Sequence, residues 1–481
     1  MVDMVNDVFA CIPNEDGVEY HMGGCAPTCM DETNHEEEVH AQDNSPEGIQ
    51  YKKLMEDAMQ PLYPSCRIDD TKLSVTVELL SMKARHKWSN KSFNKLLQLF
   101  KRVLPEHNAL PDNTYNAKKI VDSLRMEEKI IHACRNDCIL YWREHEENDN
   151  CPTCGLSRWK PINPAKPRAV RLPWKKLRYF PITPRLQRMY SVPWIAESMT
   201  WHANASLVPN DSIMRHPVDS SCWKQVDRKN PHFAFEARNI RLGLATDGFN
   251  PFGIKNNAYS CWPVMVVPYN LPPSLCMRKE FTMLTLLIPE KKGPGHDIDI
   301  YLQPLIAELN ELWSIGTITY DSYNKNRFTM KAILLWVIHD FPAYGHLSGC
   351  RTTGRYACPV CGEETDSQWL KHGKKCIYME HRRFLPNSRH PFWSQKSQFN
   401  GKEEHRQPPR RLSGSELLSK MENIQTNFGK SKKRKRHADE LNSTPWTKRS
   451  IFFDLPYWKV RFTLMYLEIK AMQYKKTYIL T

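Results

Sequence analysis

Apolar positions along this chain follow two kinds of pattern. Between residues 50 and 125 they recur at three- and four-residue steps. Phe93, Leu96, Leu97, Phe100, Val103 and Leu104 fall on one face of a helix. Ser89 or Asn90 is placed to cap that helix and Pro105 to end it. A second helix is predicted over Tyr115–Leu124, with Ala117, Ile120, Val121 and Leu124 on one side. Between residues 236 and 345 the pattern changes to short continuous apolar runs. These predict strands at Ile240–Thr246, Trp262–Pro268, Thr282–Ile288 and Ala332–Ile338. One amphipathic helix, Tyr301–Trp313, precedes the last of them. The predicted order is β-β-β-α-β, an α/β unit.

Two of the strand-like runs, Asn239–Asp247 and Lys331–Asp340, stop at an aspartate. An acid at the end of a buried strand is costly unless something neutralises it. Two such acids from neighbouring strands would make a cation site, and hard divalent cations prefer oxygen ligands. Asp247 and Asp340 are therefore the candidate catalytic residues of a metal-dependent phosphoryl-transfer site, with Mg²⁺ or Mn²⁺ as its ion.

Cysteine spacing adds a second kind of chemistry. Cys134, Cys138, Cys151 and Cys154 are spaced C-x3-C-x12-C-x2-C, two close pairs that can offer four thiolates to one tetrahedral Zn²⁺. Cys358, Cys361, Cys376 and His381 are spaced C-x2-C-x14-C-x4-H and make a second candidate zinc site, with His372 able to substitute for one ligand. His21, Cys25 and Cys29 have metal-type spacing but lie in an acidic segment without flanking order. Fifteen cysteines, an odd number, argue against a fully paired disulfide framework and for a reducing compartment.

Charge changes the picture in two places. The net charge is +15, yet residues 1–50 hold twelve acids and no Lys or Arg, so the remainder carries 68 basic and 41 acidic residues, a net +27. Such a body favours a polyanion, although a basic soluble protein is the plain alternative. Residues 155–190 carry ten cations and no acid: Arg158, Lys160, Lys166, Arg168, Arg171, Lys175, Lys176, Arg178, Arg185 and Arg188. Trp159, Trp174, Tyr179 and Phe180 are interleaved with them, and prolines are expected to keep the segment extended. It reads as a DNA-contacting segment that tracks a phosphate backbone, or else as a solvated linker. The run Lys430–Arg436 reads as a nuclear-import signal, a DNA patch or a charged loop. No apolar run approaches a membrane span, and the N-terminus lacks the features of a secretory signal.

The expected organisation is an acidic, disordered segment over 1–49 and a helical domain over 50–130, either a helix-turn-helix or plain helical packing. A four-cysteine zinc ribbon-like module (131–160) and the basic Pro-rich linker (161–200) follow. The α/β core (236–345), a zinc-binding insertion (346–386), a flexible basic linker (387–450) and a C-terminal remnant (451–481) complete the chain.

Several long stretches then resemble one known family. They are QPLYPSC (Gln60–Cys66), WSNKSFNKLL (Trp88–Leu97), IHACRNDCILYW (Ile131–Trp142), CPTCGLSRWK (Cys151–Lys160) and MRHPVDS (Met214–Ser220). Further on come ATDGFNPFG (Ala245–Gly253), WPVMVVPYNLPPSLCM (Trp262–Met277), IDIYLQPLI (Ile298–Ile306), HDFPAYGHLSG (His339–Gly349), CPVCGEET (Cys358–Thr365) and HRRFLP (His381–Pro386). Together they resemble the plant CACTA, or En/Spm-type, transposases. The resemblance implies a DDE-type cut-and-paste DNA transposase with an RNase H-like catalytic core, acting in the nucleus on transposon ends and target DNA. It implies Asp247 as the first catalytic acid, Asp340 as the second, and a zinc-binding insertion around Cys358 and Cys361. It leaves room for a homo-oligomer and implies no membrane. Two departures stand out. The acidic segment replaces a small cysteine-rich domain, and after FFDLPYWK (Phe452–Lys459) the family motif that would carry a third acid is lost. Glu468 is the sole acid in that tail. The expectation is a C-terminally truncated copy that cleaves DNA weakly or not at all, with a non-catalytic, zinc-stabilised nuclear DNA-binding protein or a decayed pseudogene product as the alternatives.

Overall fold

The computed structural model describes residues 53, 56–122, 127–161, 171–204, 213–250, 260–290, 293–379, 381–385, 390–410, 412, 414–424, 426, 428–429 and 444–458. The acidic N-terminal segment with His21, Cys25 and Cys29, the cations Lys166 and Arg168, the run Lys430–Arg436 and the tail with Glu468 lie outside these residues. The chain divides into two compact units, residues 1–126 and 127–481.

The first unit is helical. α1 spans Lys72–Arg85, α2 Asn90–Val103 and α3 Thr114–Val121. Each begins at a polar cap of the kind that satisfies the orphan N–H groups of a first turn. Thr71 and Ser74 form a reciprocal capping box on α1. Ser89 accepts from the Ser92 N–H at 3.1 Å on α2, and Asn113 from the Asn116 N–H at 2.9 Å on α3. Phe93 and Leu97 are fully buried with Leu62, Leu110 and Ala117. Phe100 and Val103 from the expected apolar face are exposed instead. α1 falls within the expected helical domain but is not one of the two helices delimited there, because its apolar positions do not form a clean stripe.

The second unit is a mixed α/β structure. Its strands are β1 (Lys129–Ala133), β2 (Leu140–Tyr141), β3 (Lys175–Tyr179), β4 (Ile240–Thr246), β5 (Ser260–Pro268), β6 (Met283–Glu290), β7 (Thr317–Asp321), β8 (Asn326–Met330), β9 (Ala332–Ile338), β10 (Ser367–Leu370) and β11 (Lys375–Tyr378). The main sheet has seven strands in the order β2-β1-β3-β6-β5-β4-β9. β4, β5 and β6 pair antiparallel, whereas β4 and β9 are parallel. A parallel pair needs a crossover, which here includes α8 (Ile298–Ser314) and the separate β7–β8 hairpin. The four predicted core strands and the helix occur in the predicted order; the hairpin is additional.

The helices before the core are α4 (Thr183–Tyr190), α5 (Pro193–Ser198), α6 (Ser221–Lys229) and α7 (Pro231–Phe235), and α9 (Phe341–Ser348) follows β9. Nine residues of α8 pack inward as apolar side chains, among them Ile300, Leu305 and Leu309. Glu308 of the same helix reaches the start of α4, which has no side-chain cap of its own. Its carboxylate accepts from the Ile182 N–H at 3.1 Å, the Thr183 N–H at 2.8 Å and the Thr183 hydroxyl at 2.7 Å. A carboxylate at a helix N-terminus is favourable for both hydrogen bonding and the helix dipole.

Two departures from the expected organisation concern the ends of this unit. Strands β1 and β2, which flank the Cys134–Cys138 loop, join the main sheet through β3, which pairs with β6 at Arg178↔Leu287 and Tyr179↔Leu286. The expected extended linker is thus a sheet strand from Lys175, followed by a helix whose Pro184 sits in the first turn, where proline is tolerated. Residues 444–458, expected as flexible linker and remnant, close the core. Lys448 and Asp299 form an ion pair of 2.6 Å with both side chains 2% exposed. Tyr457 Oη accepts from the Leu334 N–H at 3.0 Å, and Trp458 Nε1 donates to the Leu334 carbonyl at 2.9 Å. These two aromatics cover the outer edge of β9, a position that would otherwise leave backbone groups unpaired.

Candidate metal centre and acidic strand ends

β4 and β9 run side by side in the same direction, with Ala245 opposite Ile338. Each chain continues two residues further, to Asp247 and Asp340, so the two acids leave the sheet at the same end of adjacent strands. A bulge makes this alignment. Leu242 pairs with Leu334 but Gly243 with Trp336, so β9 carries one extra residue. Both aspartates are exposed. Asp247 Oδ1 accepts from the Gly248 N–H at 2.6 Å. Asp340 caps α9, accepting from the Ala343 N–H at 2.8 Å.

The ground beside these acids is aromatic and imidazole-rich. The Trp262 indole lies between Gly248 and Gly293; a Cβ at either would collide with it. Trp262 Nε1 donates to Ser260 Oγ at 2.9 Å. Its ring meets His346 of α9 at 5.7 Å, and His346 meets His296 at 5.6 Å. Burial holds the His346 imidazole below its usual range, and burial together with Lys448 lowers His296 to about 4. Burial thus favours the neutral form of both rings. Sequence reasoning missed them, because a histidine in an apolar stretch carries no spacing signal.

The four cysteines of the first set are brought together. Cys134 and Cys138 lie on the loop between β1 and β2. Cys151 and Cys154 lie on a turn closed by the Gly155 N–H to the Cys151 carbonyl at 2.8 Å. All four sulfurs lie within 4.8 Å of one another, and Cys134 and Cys154 are 3.6 Å apart. Tetrahedral zinc with Zn–S of about 2.3 Å separates its sulfurs by about 3.8 Å, so the donor set fits a structural zinc ion. The Asn136 N–H donates to Cys134 Sγ at 3.3 Å, a charge-stabilising bond to a thiolate. Burial pushes the Cys134 thiol up to about 11 and Cys138 higher still, so a bound cation is what would hold them ionised.

The loop between Cys134 and Cys138 is tied inward by Asp137. Its side chain is 1% exposed, pairs with Lys175 of β3 and accepts from the Tyr301 hydroxyl of α8 at 2.5 Å. Gly429 lies against Cys138 and donates its N–H to Asp297 at 3.0 Å, just ahead of α8. The centre is therefore built onto the main sheet and α8.

The second set is not gathered in the same way. Among the described residues, Cys134, Cys138, Cys151 and Cys154 form the one group in which three or more ligand atoms come this close. Cys358 accepts from the Cys361 N–H at 3.4 Å, and the bond from the Cys361 thiol lowers the Cys358 thiol to about 6. Cys376 lies on β11, opposite Trp369 of β10, and His381 is exposed beyond it.

The predicted DNA-binding cations divide into engaged and exposed groups. Arg185 is buried, and its guanidinium donates to the carbonyls of Pro181, Leu284 and Phe180 at 3.0, 2.6 and 2.7 Å. Lys175 pairs with Asp137, and Arg178 with Glu128 at 2.5 Å. Arg158 donates to His132 Nδ1 at 2.8 Å and to the Glu146 carbonyl at 2.5 Å. Lys160, Lys176 and Arg188 are exposed, and so is Arg171, which lies 3.6 Å from the Asp149 carboxylate. Arg135, which spacing arguments passed over, stacks its guanidinium 4.1 Å from the centre of the Trp174 ring, and the Lys160 ammonium lies 5.9 Å from the same ring.

A mixed α/β unit with a four-cysteine centre and two acids at one strand end is the setting in which the comparison with known families falls. Residues 211–424 match the family model described as transposase family tnp2. The match supports a transposase-family domain in this part of the chain. It spans Asp247, Asp340 and the second cysteine set, and begins after the four-cysteine centre. No curated protein matches the chain. No helix among the described residues is long and apolar enough to cross a membrane.

Proposed function

We propose that this chain is a transposon-derived, DDE-type transposase-like protein of the plant CACTA kind, with an RNase H-like core, that binds transposon DNA in the nucleus. The observation that carries the reading is the parallel pairing of β4 and β9, which brings Asp247 and Asp340 out at one end within the family-matched span. The antiparallel β4, β5 and β6 with a parallel β9 beside β4 also agree with an RNase H-like order.

The carboxylates are exposed and supply hard oxygen donors, which suit Mg²⁺ or Mn²⁺. Bound there, such ions would activate a water towards a phosphodiester and stabilise the leaving oxygen. The chain's own part is to hold both carboxylates on rigid strand ends, with Asp340 further fixed by its cap on α9. The exposed cations Lys160, Arg171, Lys176 and Arg188 would meet the phosphate backbone, and the four-cysteine centre would hold a structural Zn²⁺.

A second reading is a non-catalytic, zinc-stabilised DNA-binding protein. It draws on the capping bond of Asp340, which gives that acid a structural task. Mn²⁺ titration of the zinc-saturated chain, with nicking of supercoiled plasmid as a companion assay, separates the two. Asp247→Asn and Asp340→Asn should each weaken Mn²⁺ binding roughly tenfold or more. Asn caps a helix as well as Asp, so the fold should persist. Unaltered Mn²⁺ binding in both variants overturns the catalytic assignment and leaves the second reading.

A further inference from the structure

The β7–β8 hairpin stands apart from the main sheet and has two unlike faces. Thr319, Asp321, Phe328 and Met330 point inward and are buried. Phe328 packs edge-on against Tyr190 at 5.1 Å and beneath the Arg238 guanidinium at 3.9 Å. Ser322 ties the turn to the Tyr190 carbonyl through its N–H at 3.0 Å and its hydroxyl at 2.8 Å. The hairpin is thus anchored on one side.

The other face is turned to solvent. Ile318 is 70% exposed and Tyr320 51%, with Tyr323 at 49% and Ile315 at 70% beside them. Tyr320 pairs across the strands with Arg327, and Ile318 with Thr329; both partners are exposed. Between Ile315 and Lys331 the charged residues are Asp321, Lys325, Arg327 and Lys331. The single acid is buried and bound to Arg238 at 3.1 Å. Glu197 is the nearby acid on α5, and it engages the Tyr323 hydroxyl.

We infer that this face is a contact surface for duplex DNA, with the ribbon seated in the major groove. The inference rests on the DNA-binding reading above and names a second place on the chain where that binding occurs. A two-stranded ribbon is one of the two elements that the major groove admits. Strands of five residues extend about 17 Å, enough to lie along the groove. Lys325 and Arg327 supply charge complementarity to a polyanion. Tyr320, Ile318 and Thr329 offer the apolar and hydrogen-bonding groups that meet base edges and thymine methyls. A second copy of the chain is the poorer occupant, because the exposed Lys325 and Arg327 outnumber Glu197 beside them, so two such faces would repel, and the whole chain carries +15.

The test uses the full zinc-saturated chain and a fluorescent mixed-sequence duplex, read by anisotropy across a salt series. The double variant Tyr320→Ala/Arg327→Ala should bind roughly tenfold more weakly, with the salt slope lower by about one unit. Its unfolding curve should match the wild type, because both side chains point to solvent. Wild-type DNA binding that persists within twofold in the double variant overturns the hairpin inference and leaves the DNA-binding reading standing. No DNA binding by the wild type overturns that reading itself. Sedimentation that shows a dimer lost on Ile318→Ser, with DNA binding intact, assigns the face to a second copy and overturns the inference.

Discussion

Asp137→Asn tests whether the four-cysteine centre is part of the core or an attached module. Asp137 sits between Cys134 and Cys138 with a left-handed backbone (φ 60°). Asparagine tolerates that conformation, so the turn should survive and the charge alone is lost. The Asp137 side chain is 1% exposed and that of its partner Lys175 16%. Removing one partner of a buried pair costs about 3–5 kcal/mol, since the other charge stays buried. The partial exposure of Lys175 lets water reach the ammonium, which puts the loss near the lower end, about 3 kcal/mol. That is more than a hundredfold in the folding equilibrium. The assay is urea unfolding by circular dichroism with zinc saturating, beside zinc release to a colorimetric chelator. Both midpoints should fall together, because Asp137 bridges the cysteine loop to β3 and α8. Adding Lys175→Met should recover at least half of the loss, because no unpaired charge then remains. Two outcomes would refute the reasoning: zinc release that shifts while the sheet unfolds at the wild-type midpoint, or single losses that simply add in the double variant.

Three further outcomes follow from the same geometry. Elemental analysis should find about one zinc per chain, removed by Cys151→Ser; two per chain would mean that the Cys358 set also closes on a metal. Gly429→Ala should speed zinc release, because the new Cβ would come within 2.5 Å of Cys138 Sγ at a backbone φ of +98°, and unchanged release kinetics would count against that packing. His216 is buried and its imidazole is lowered by burial to about 4 from 6.5, so the unfolded chain takes up a proton that the folded chain refuses. Stability from this group is present above pH 6.5 and lost as pH falls towards 4, by roughly 3 kcal/mol, and His216→Gln should flatten that part of an unfolding-versus-pH profile.

Local pattern alone carried a good part of this protein. Ile240–Thr246 and Ala332–Ile338 are strands with the same ends as predicted, because unbroken apolar runs of that length have few other uses in an α/β unit. The cap at Ser89 and the pairs Cys134/Cys138 and Cys151/Cys154 were legible for a similar reason: capping and tetrahedral ligation depend on residues close in sequence. Tertiary structure decided what depends on distant partners. The Leu334/Trp336 bulge that aligns Asp340 with Asp247 leaves no mark in either strand's own pattern. Arg185 and Lys176 look alike in a basic run, yet one is spent on three backbone carbonyls and the other faces solvent, because only the docking of β3 against β6 determines which cations are enclosed. In the same way Lys448 and Trp458 belong to the core only through Asp299 and Leu334, more than a hundred residues earlier. Periodicity reports which face of an element is apolar; which polar groups are desolvated is settled by the partner that arrives from elsewhere in the chain.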